Sequence, residues 1–111
     1  MEEVAEVIVT LRLRFKPGTV DHVLDRIVPI ARTTRAEEGN ISFDVFKARD
    51  HADQLVIFER WRDQAALERH WDEPYTKEVL ALFGDYLANP LSETEDVTYL
   101  RDMMTIAGGP L

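Results

Sequence analysis

Hydrophobic and polar residues alternate along three stretches of the chain, which is the pattern of half-buried β-strands. These stretches are residues 4–15, 40–48 and 54–61, and a last strand is predicted over residues 93–100. The polar residues 49–53 between the second and third stretches predict a short hairpin loop. The sequence therefore predicts four strands, three of them from alternation.

Between these strands, apolar residues recur at the spacing of an α-helix. The first helix is predicted to begin after Thr19, to bend or break near Pro29 and to end close to Gly39. Asp63 is placed to cap a short second helix, and Pro74 suits the first position of a third. The predicted buried positions of the first helix are Val20, Val23, Leu24, Ile27, Ala31 and Thr34.

The order strand, helix, strand, strand, helix pair, strand is typical of an α+β, ferredoxin-like βαββαβ fold. In this fold an antiparallel sheet carries its helices on one face. We expect one domain over residues 1–111, with a core over about residues 5–100 and a loose C-terminal tail over residues 101–111.

The sheet face opposite the helices combines large apolar side chains with charges of both signs. A monomer seldom exposes such an apolar patch, so we expect a homodimer in which one sheet packs on the other. A solvated amphipathic face is the alternative. The residues predicted on this face are Ile8, Thr10, Arg12, Arg14, Asp44, Phe46, Val56, Phe58 and Arg60.

Composition excludes several functions. The chain has 111 residues, no cysteine and a formal charge of −8, which argues against nucleic-acid binding, disulfides and a thiolate nucleophile. It lacks an 18-residue apolar run, and its start is acidic where a signal peptide is basic, so we expect a cytoplasmic protein with no membrane partner. The three histidines lack metal-ligand spacing, and no glycine-rich phosphate loop occurs. We therefore expect no metal and no cofactor.

Three residues are candidates for catalysis. Glu59 and Trp61 share a strand face, and His70 lies on the helix that folds back over that face. A carboxylate among apolar neighbours needs a partner or a raised pKa, so we expect Glu59 to pair with His70 or Arg69. Such a pair would be able to remove a phenolic proton. The alternative is a structural role for both residues, as a salt bridge between helix and sheet.

Several segments together resemble the antibiotic biosynthesis monooxygenase (ABM) family, over about residues 5–100. They are FERW at residues 58–61, AALERH at 65–70, Pro-Tyr at 74–75, EGNISFDV at 38–45 and Lys-Pro-Gly at 16–18. The resemblance implies a dimeric α/β barrel with a small-molecule cavity between sheet and helices. It also implies oxidation of quinol-like or anthrone-like aromatics by dioxygen without metal, flavin or haem.

Trp61 lies at the position of the pocket tryptophan in the aromatic-polyketide monooxygenases of this family. Where those proteins place an asparagine, a tyrosine and an arginine, this chain has Ile57, Leu67 and Leu80. The aromatic residues near Trp61 suit a pocket for a flat ligand, although such residues more often belong to a plain core. The candidate substrate-binding residues are Phe43, Ile57, Leu67, Trp71, Tyr75 and Phe83.

These observations predict a cofactor-independent monooxygenase, an oxidoreductase that acts on a small hydroxylated aromatic of the quinol or polyketide type. Two alternatives stay open on the same fold. One is a cyclase or isomerase of the polyketide-tailoring type, in which Glu59 and His70 act without oxygen. The other is a dimer that binds a small molecule without turning it over, which the aliphatic residues at the three pocket positions favour.

Overall fold

The computed structural model of the chain describes residues 5–92 and 94–104. Four strands and three helices follow one another in the predicted order. They are β1 (Val7–Arg14), α1 (Val20–Thr34), β2 (Asn40–Lys47), β3 (Gln54–Trp61), α2 (Gln64–Asp72), α3 (Pro74–Tyr86) and β4 (Val97–Leu100).

The four strands form one sheet in the order β2-β3-β1-β4, and every neighbouring pair is antiparallel. Leu11 of β1 lies opposite Ile57 of β3, and Phe43 of β2 lies opposite Glu59 of β3. This topology confirms the predicted α+β, ferredoxin-like fold. The two central strands are therefore β1 and β3, and their covered face is available to contribute side chains to a site.

The core lies between the sheet and the helices. On β3 every second side chain is buried, as expected for a strand with one covered face. The inner stripe of α1 is buried against this face at helical spacing. The buried residues of these two elements are Leu55, Ile57, Glu59, Trp61, Val20, Val23, Ile27, Ala31 and Thr34.

The first helix ends before its predicted end close to Gly39. α1 runs without a break through Pro29, which is exposed, and ends at Thr34. The backbone N–H of Arg35 closes the helix on Ala31, and residues 35–39 then form turns. A bend or a break near Pro29 was expected because proline lacks an N–H; the missing hydrogen bond did not break this helix.

Gly39 belongs to the turn that leads into β2. Its φ of +87° lies in the region that favours glycine, and a Cβ atom there would come within 2.6 Å of the Cβ of Ala66. Its carbonyl accepts a hydrogen bond of 2.7 Å from the N–H of Arg62. The turn between α1 and β2 is therefore held against the start of α2.

The last strand begins later than predicted. β4 begins at Val97, because residues 94–96 form a turn in which the side chain of Asp96 accepts from the N–H of Ser92 at 2.7 Å. The predicted strand residues 4 and 93 and the tail from residue 105 onward lie outside the described residues. The N-cap of α2 is as predicted, since Asp63 accepts from the N–H of Ala66 at 2.8 Å.

The sheet face away from the helices carries the predicted mixture of apolar and charged side chains. Phe46 is 54% exposed there, and Arg60 forms ion pairs with Glu6 at 2.8 Å and Asp102 at 3.5 Å. Ile8, which we predicted to join the exposed patch, is only 6% exposed. It lies on a central strand between the cross-strand neighbours Arg60 and Leu100, which explains its burial within a single chain.

Candidate functional site

A cavity of about 80 Å³ lies between the sheet and the three helices. Its wall is mainly apolar, with a carboxyl group, an imidazole and two hydroxyls. Such a wall, with few polar groups, is typical of small-molecule sites. The lining residues are Leu11, Ile30, Thr34, Phe43, Ile57, Glu59, His70, Trp71, Thr76, Val79, Leu80 and Phe83.

Glu59 places its carboxyl group in this wall from the covered face of β3. The residue is 7% exposed, and its Oε1 accepts a hydrogen bond of 2.9 Å from Nε1 of Trp61. Burial raises the pKa of Glu59 from 4.5 to about 7; the hydrogen bond from Trp61 opposes this rise, and the charge of Glu37 adds to it. A carboxyl group with a pKa near 7 is suited to act as a general acid or base at neutral pH.

His70 enters the same wall from the buried face of α2. The residue is 6% exposed, and its ring centre lies 4.8 Å from that of Trp61 and 5.7 Å from that of Phe43. Its Nδ1 lies 2.8 Å from Oε2 of Glu37. Trp61 thus contacts both candidate acid-base residues, although it is fully buried and does not line the cavity itself.

The partner predicted for Glu59 was wrong. Neither His70 nor Arg69 pairs with it; the indole of Trp61 does, and His70 pairs with Glu37 instead. The period of two along β3 places Trp61 beside Glu59, and the indole N–H is a donor that a strand neighbour is able to supply. Arg69 is exposed on the outer side of α2.

Glu37 is the functional candidate that our sequence reasoning missed. Its Oε2 accepts a hydrogen bond of 2.6 Å from the hydroxyl of Tyr75 and also contacts His70. The side chain of Glu37 is only 12% exposed. Glu37 lies in an irregular turn, where neither the period of a helix nor that of a strand indicates the direction of a side chain. Gly39, two residues later, marks a turn packed against α2, and it was the sequence feature that indicated the position of this turn.

The predicted substrate-binding residues divide into two groups. Phe43, Ile57, Trp71 and Phe83 line the cavity. Leu67 is instead a core residue with 1% exposure, and Tyr75 contacts Glu37 rather than the cavity. The lining residues that we did not propose for this role are Leu11, Ile30, Thr34, Thr76, Val79 and Leu80.

The mouth of the cavity is apolar and lies between α2 and α3. Trp71 is 43% exposed and Leu80 is 48% exposed, yet both line the cavity. The cavity wall is therefore partly open to solvent at these two side chains, which belong to α2 and α3.

The described part of the chain holds no group of three or more His, Asp or Glu side chains that would bind a metal ion. Within the same residues, no helix combines the length and the hydropathy needed to cross a bilayer.

The family model described as "Antibiotic biosynthesis monooxygenase" matches residues 6–82. In sequence, the chain is 28% identical to "Putative monooxygenase YcnE" of Bacillus subtilis over 79 residues, which are 71% of this chain and 83% of that protein. It is 38% identical to Rv0793 of Mycobacterium tuberculosis over 61 residues, which are 55% of this chain and 59% of that protein.

Solved structures agree with these matches. The structure of Rv0793 superimposes with a TM-score of 0.77 and 30% identity, covering 88% of this chain and 95% of that one. A protein of Nitrosomonas europaea has a TM-score of 0.80 at 13% identity, covering 93% and 95% of the two chains, and so shows the fold alone. The family model covers more than half of the residues, and the order of strands and helices is the one predicted from the sequence pattern. The chain therefore belongs to the antibiotic biosynthesis monooxygenase family.

Proposed function

We propose that the protein is a cofactor-independent monooxygenase that acts on a small hydroxylated aromatic molecule with dioxygen. The observation that carries this proposal is the position of Glu59 and His70 in the wall of one apolar cavity. A phenol needs a base to become an electron-rich phenolate, and an apolar wall keeps competing water away from the reactive species. The family to which the chain belongs supports the same reaction class.

The size of the cavity favours a substrate with a single ring. A cavity of about 150 Å³ holds benzene in an engineered protein. The cavity here measures about 80 Å³, so even one ring requires Trp71 or Leu80 to move at the mouth. A tricyclic substrate would require a far larger rearrangement. Of the two substrate types that the sequence suggests, a quinol fits this cavity better than a polyketide does.

The proposed reaction needs no external reductant. The substrate loses two hydrogens and gains one oxygen atom, and the second oxygen atom of dioxygen leaves as water. The phenolate passes one electron to dioxygen, and the two resulting radicals combine to form a carbon–oxygen bond. The oxygen–oxygen bond then breaks as the ring carbon loses its hydrogen, which leaves a carbonyl group and water.

Two residues have separate roles in this reaction. His70 takes the phenolic proton and returns it to the outer oxygen of the peroxide. The carboxyl group of Glu59 gives a second proton to the departing hydroxide, which makes water, and regains one from the ring carbon. The raised pKa of Glu59, about 7, keeps a protonated fraction available near neutral pH. Trp61 holds Oε1 of Glu59 in place through its hydrogen bond.

A homodimer through the open sheet face is the second part of the proposal. Phe46 is exposed on that face, and the half-buried Val56 and Phe58 extend the apolar area. A second copy would cover these side chains. A cytoplasmic location stays a prediction from the sequence.

The decisive experiment measures oxygen consumption with a panel of single-ring quinols and phenols and with a tricyclic anthrone. We expect turnover of at least one quinol, with one atom of labelled dioxygen in the product and one in water. Glu59→Gln and His70→Gln should each lose this activity, whereas Glu68→Gln, on the exposed side of α2, should keep it.

The same experiment without oxygen separates the alternatives. A product formed equally well in anaerobic buffer would replace the proposal with cyclase or isomerase chemistry at Glu59 and His70. Saturable binding of quinols with no product under either condition would make the protein a binding module. The aliphatic cavity residues Ile57 and Leu80, which stand at two of the three replaced pocket positions, would then explain the lack of chemistry.

A further inference from the structure

Glu37 joins three segments that meet around His70. It lies in the turn between α1 and β2, and its Oε2 lies 2.8 Å from Nδ1 of His70 on α2 and 2.6 Å from the hydroxyl of Tyr75 on α3. Thr76 of α3 places its Oγ1 3.3 Å from the same Nδ1. All the observed hydrogen bonds of the imidazole ring are therefore made by Nδ1.

We propose that Glu37 is a positioning residue that keeps the proton of neutral His70 on Nδ1 and so leaves Nε2 as the proton acceptor. The consequence for catalysis rests on the function proposed above, whereas the position of the proton does not. A carboxylate only accepts hydrogen bonds, so a short contact between Oε2 and Nδ1 requires the proton to be on Nδ1. Within the described residues, Nε2 has no hydrogen-bond partner.

Glu37 also acts on two neighbouring groups. The pKa of Tyr75 is raised above its usual value by burial and by the hydrogen bond and charge of Glu37. The pKa of Glu59 is raised to about 7, mainly by burial, and the charge of Glu37 adds to this rise. The hydroxyl of Tyr75 thus donates to Glu37 and holds it without competing for the imidazole.

Thr76 determines what should follow when Glu37 is lost. A hydroxyl is able to donate as well as to accept, and its hydrogen rotates to suit its neighbour. Without the carboxylate, Thr76 would be the remaining partner of Nδ1 and would donate to it. The proton of His70 would then move to Nε2, and the ring would no longer offer a lone pair at that atom.

The tautomer of His70 is measurable by long-range proton–nitrogen NMR on uniformly labelled protein. The chain has three histidines, so His22→Gln and His51→Gln variants, both away from the cavity, assign the signals of His70. In the wild-type protein we expect protonated Nδ1 and unprotonated Nε2. The opposite tautomer, or an even mixture, in the folded wild-type protein would overturn the proposal without any variant.

Three variants then test the cause. Glu37→Ala should move the proton to Nε2, and Glu37→Gln should preserve the wild-type tautomer because its amide oxygen still accepts. Tyr75→Phe should also preserve it, since it removes a hydrogen bond to Glu37 but none to His70. An unchanged tautomer in folded Glu37→Ala would overturn the proposal. If this variant does not fold, the wild-type measurement remains decisive.

The NMR result stands whether or not the protein oxidises quinols. If it does, Glu37→Ala should lower kcat about tenfold to a hundredfold, with KM changing less. Loss of the partner that orients a metal-binding histidine has an effect of this size. Glu37→Gln should recover most of this loss. A wild-type protein without oxygenase activity would refute the proposed function. If the proton of His70 still moves to Nε2 in Glu37→Ala, the role of Glu37 in positioning that proton remains intact.

Discussion

The indole nitrogen of Trp61 donates a hydrogen bond of 2.9 Å to Oε1 of Glu59, two residues earlier on the same face of β3. Both side chains are buried, so this bond is made in surroundings of low dielectric constant. It stabilises the ionised carboxylate and lowers the pKa of Glu59, while burial raises the same pKa by more. The resulting pKa of about 7 is the chemical property of Glu59 that we expect to matter most for the proposed reaction.

Trp61→Phe should therefore raise the pKa of Glu59 above about 7, because it removes the donor and retains the aromatic packing. A titration of the glutamate carboxyl carbons by NMR measures this change directly. The matched control is Trp71→Phe, since Trp71 lines the cavity but makes no hydrogen bond to Glu59. A pKa that stays the same or falls in Trp61→Phe would show that the indole does not stabilise the carboxylate.

Glu59→Gln should make stability less dependent on pH. The folded-state pKa of Glu59 lies above the usual value, so the wild-type chain binds an extra proton when folded between pH 4.5 and about 7. The contribution of Glu59 to stability is therefore fully present below pH 4.5 and is lost as the pH rises through about 7. For a residue this deeply buried, the loss amounts to about 3 kcal/mol.

Urea unfolding of both proteins below pH 4.5 and above pH 7 measures this effect. The glutamine keeps an oxygen that accepts from Trp61 but carries no charge to bury. Relative to wild type, Glu59→Gln should thus gain stability as the pH rises, while it loses oxygenase activity. The same difference in stability at both pH values would contradict a buried carboxyl with a raised pKa.

His70→Ala should lower turnover by about a hundredfold or more, because the variant lacks the proposed base. The variant should remain folded, although losing a hydrogen-bonded partner of Glu37 should cost about 1–3 kcal/mol of stability. Turnover and thermal unfolding are therefore measured on the same sample. Activity that falls only in proportion to the unfolded fraction would assign His70 a structural role, and normal values of both would remove it from the site.

Strand periodicity was sufficient to locate Glu59 and Trp61, because residues two apart on a strand with one covered face must share that face. Helix periodicity similarly placed His70 on the inner face of α2. Neither period determines which polar groups meet. In the structure the indole of Trp61 donates to Glu59, and His70 contacts Glu37, which lies in a different part of the chain.

Glu37 was not predictable from periodicity, because the turn that carries it has none. Its position depends on where α1 ends, and that end was predicted too late in the chain. The sequence pattern offers Gly39 as a helix end, whereas the structure uses it to bring the turn against Ala66. An error in one element boundary therefore concealed the partner of His70.

Gly39→Ala should destabilise the fold more than Gly18→Ala does. Both glycines have positive φ, +87° and +80°, so each substitution costs about 1–2 kcal/mol of backbone strain. Only at Gly39 would the new Cβ come within 2.6 Å of another atom, the Cβ of Ala66, whereas nothing lies within 4 Å at Gly18. Urea unfolding should show an additional loss of about 1–3 kcal/mol for Gly39→Ala, typical of overpacking. Equal losses would mean that the turn and α2 separate at little cost.

Phe46→Glu should weaken the proposed homodimer. Phe46 is 54% exposed on the open sheet face, next to its cross-strand neighbour Val56, and a second copy would cover it. Since burial of such a side chain contributes about 1.5–3 kcal/mol, a charge there should raise the dimer Kd by about tenfold to a hundredfold. Leu80→Glu is the control, because Leu80 is 48% exposed but lies on α3, on the other side of the sheet.

Sedimentation over a range of concentrations distinguishes the variants. A wild-type chain that sediments as a monomer would refute the dimer, and equal weakening by both variants would refute the open sheet face as its interface.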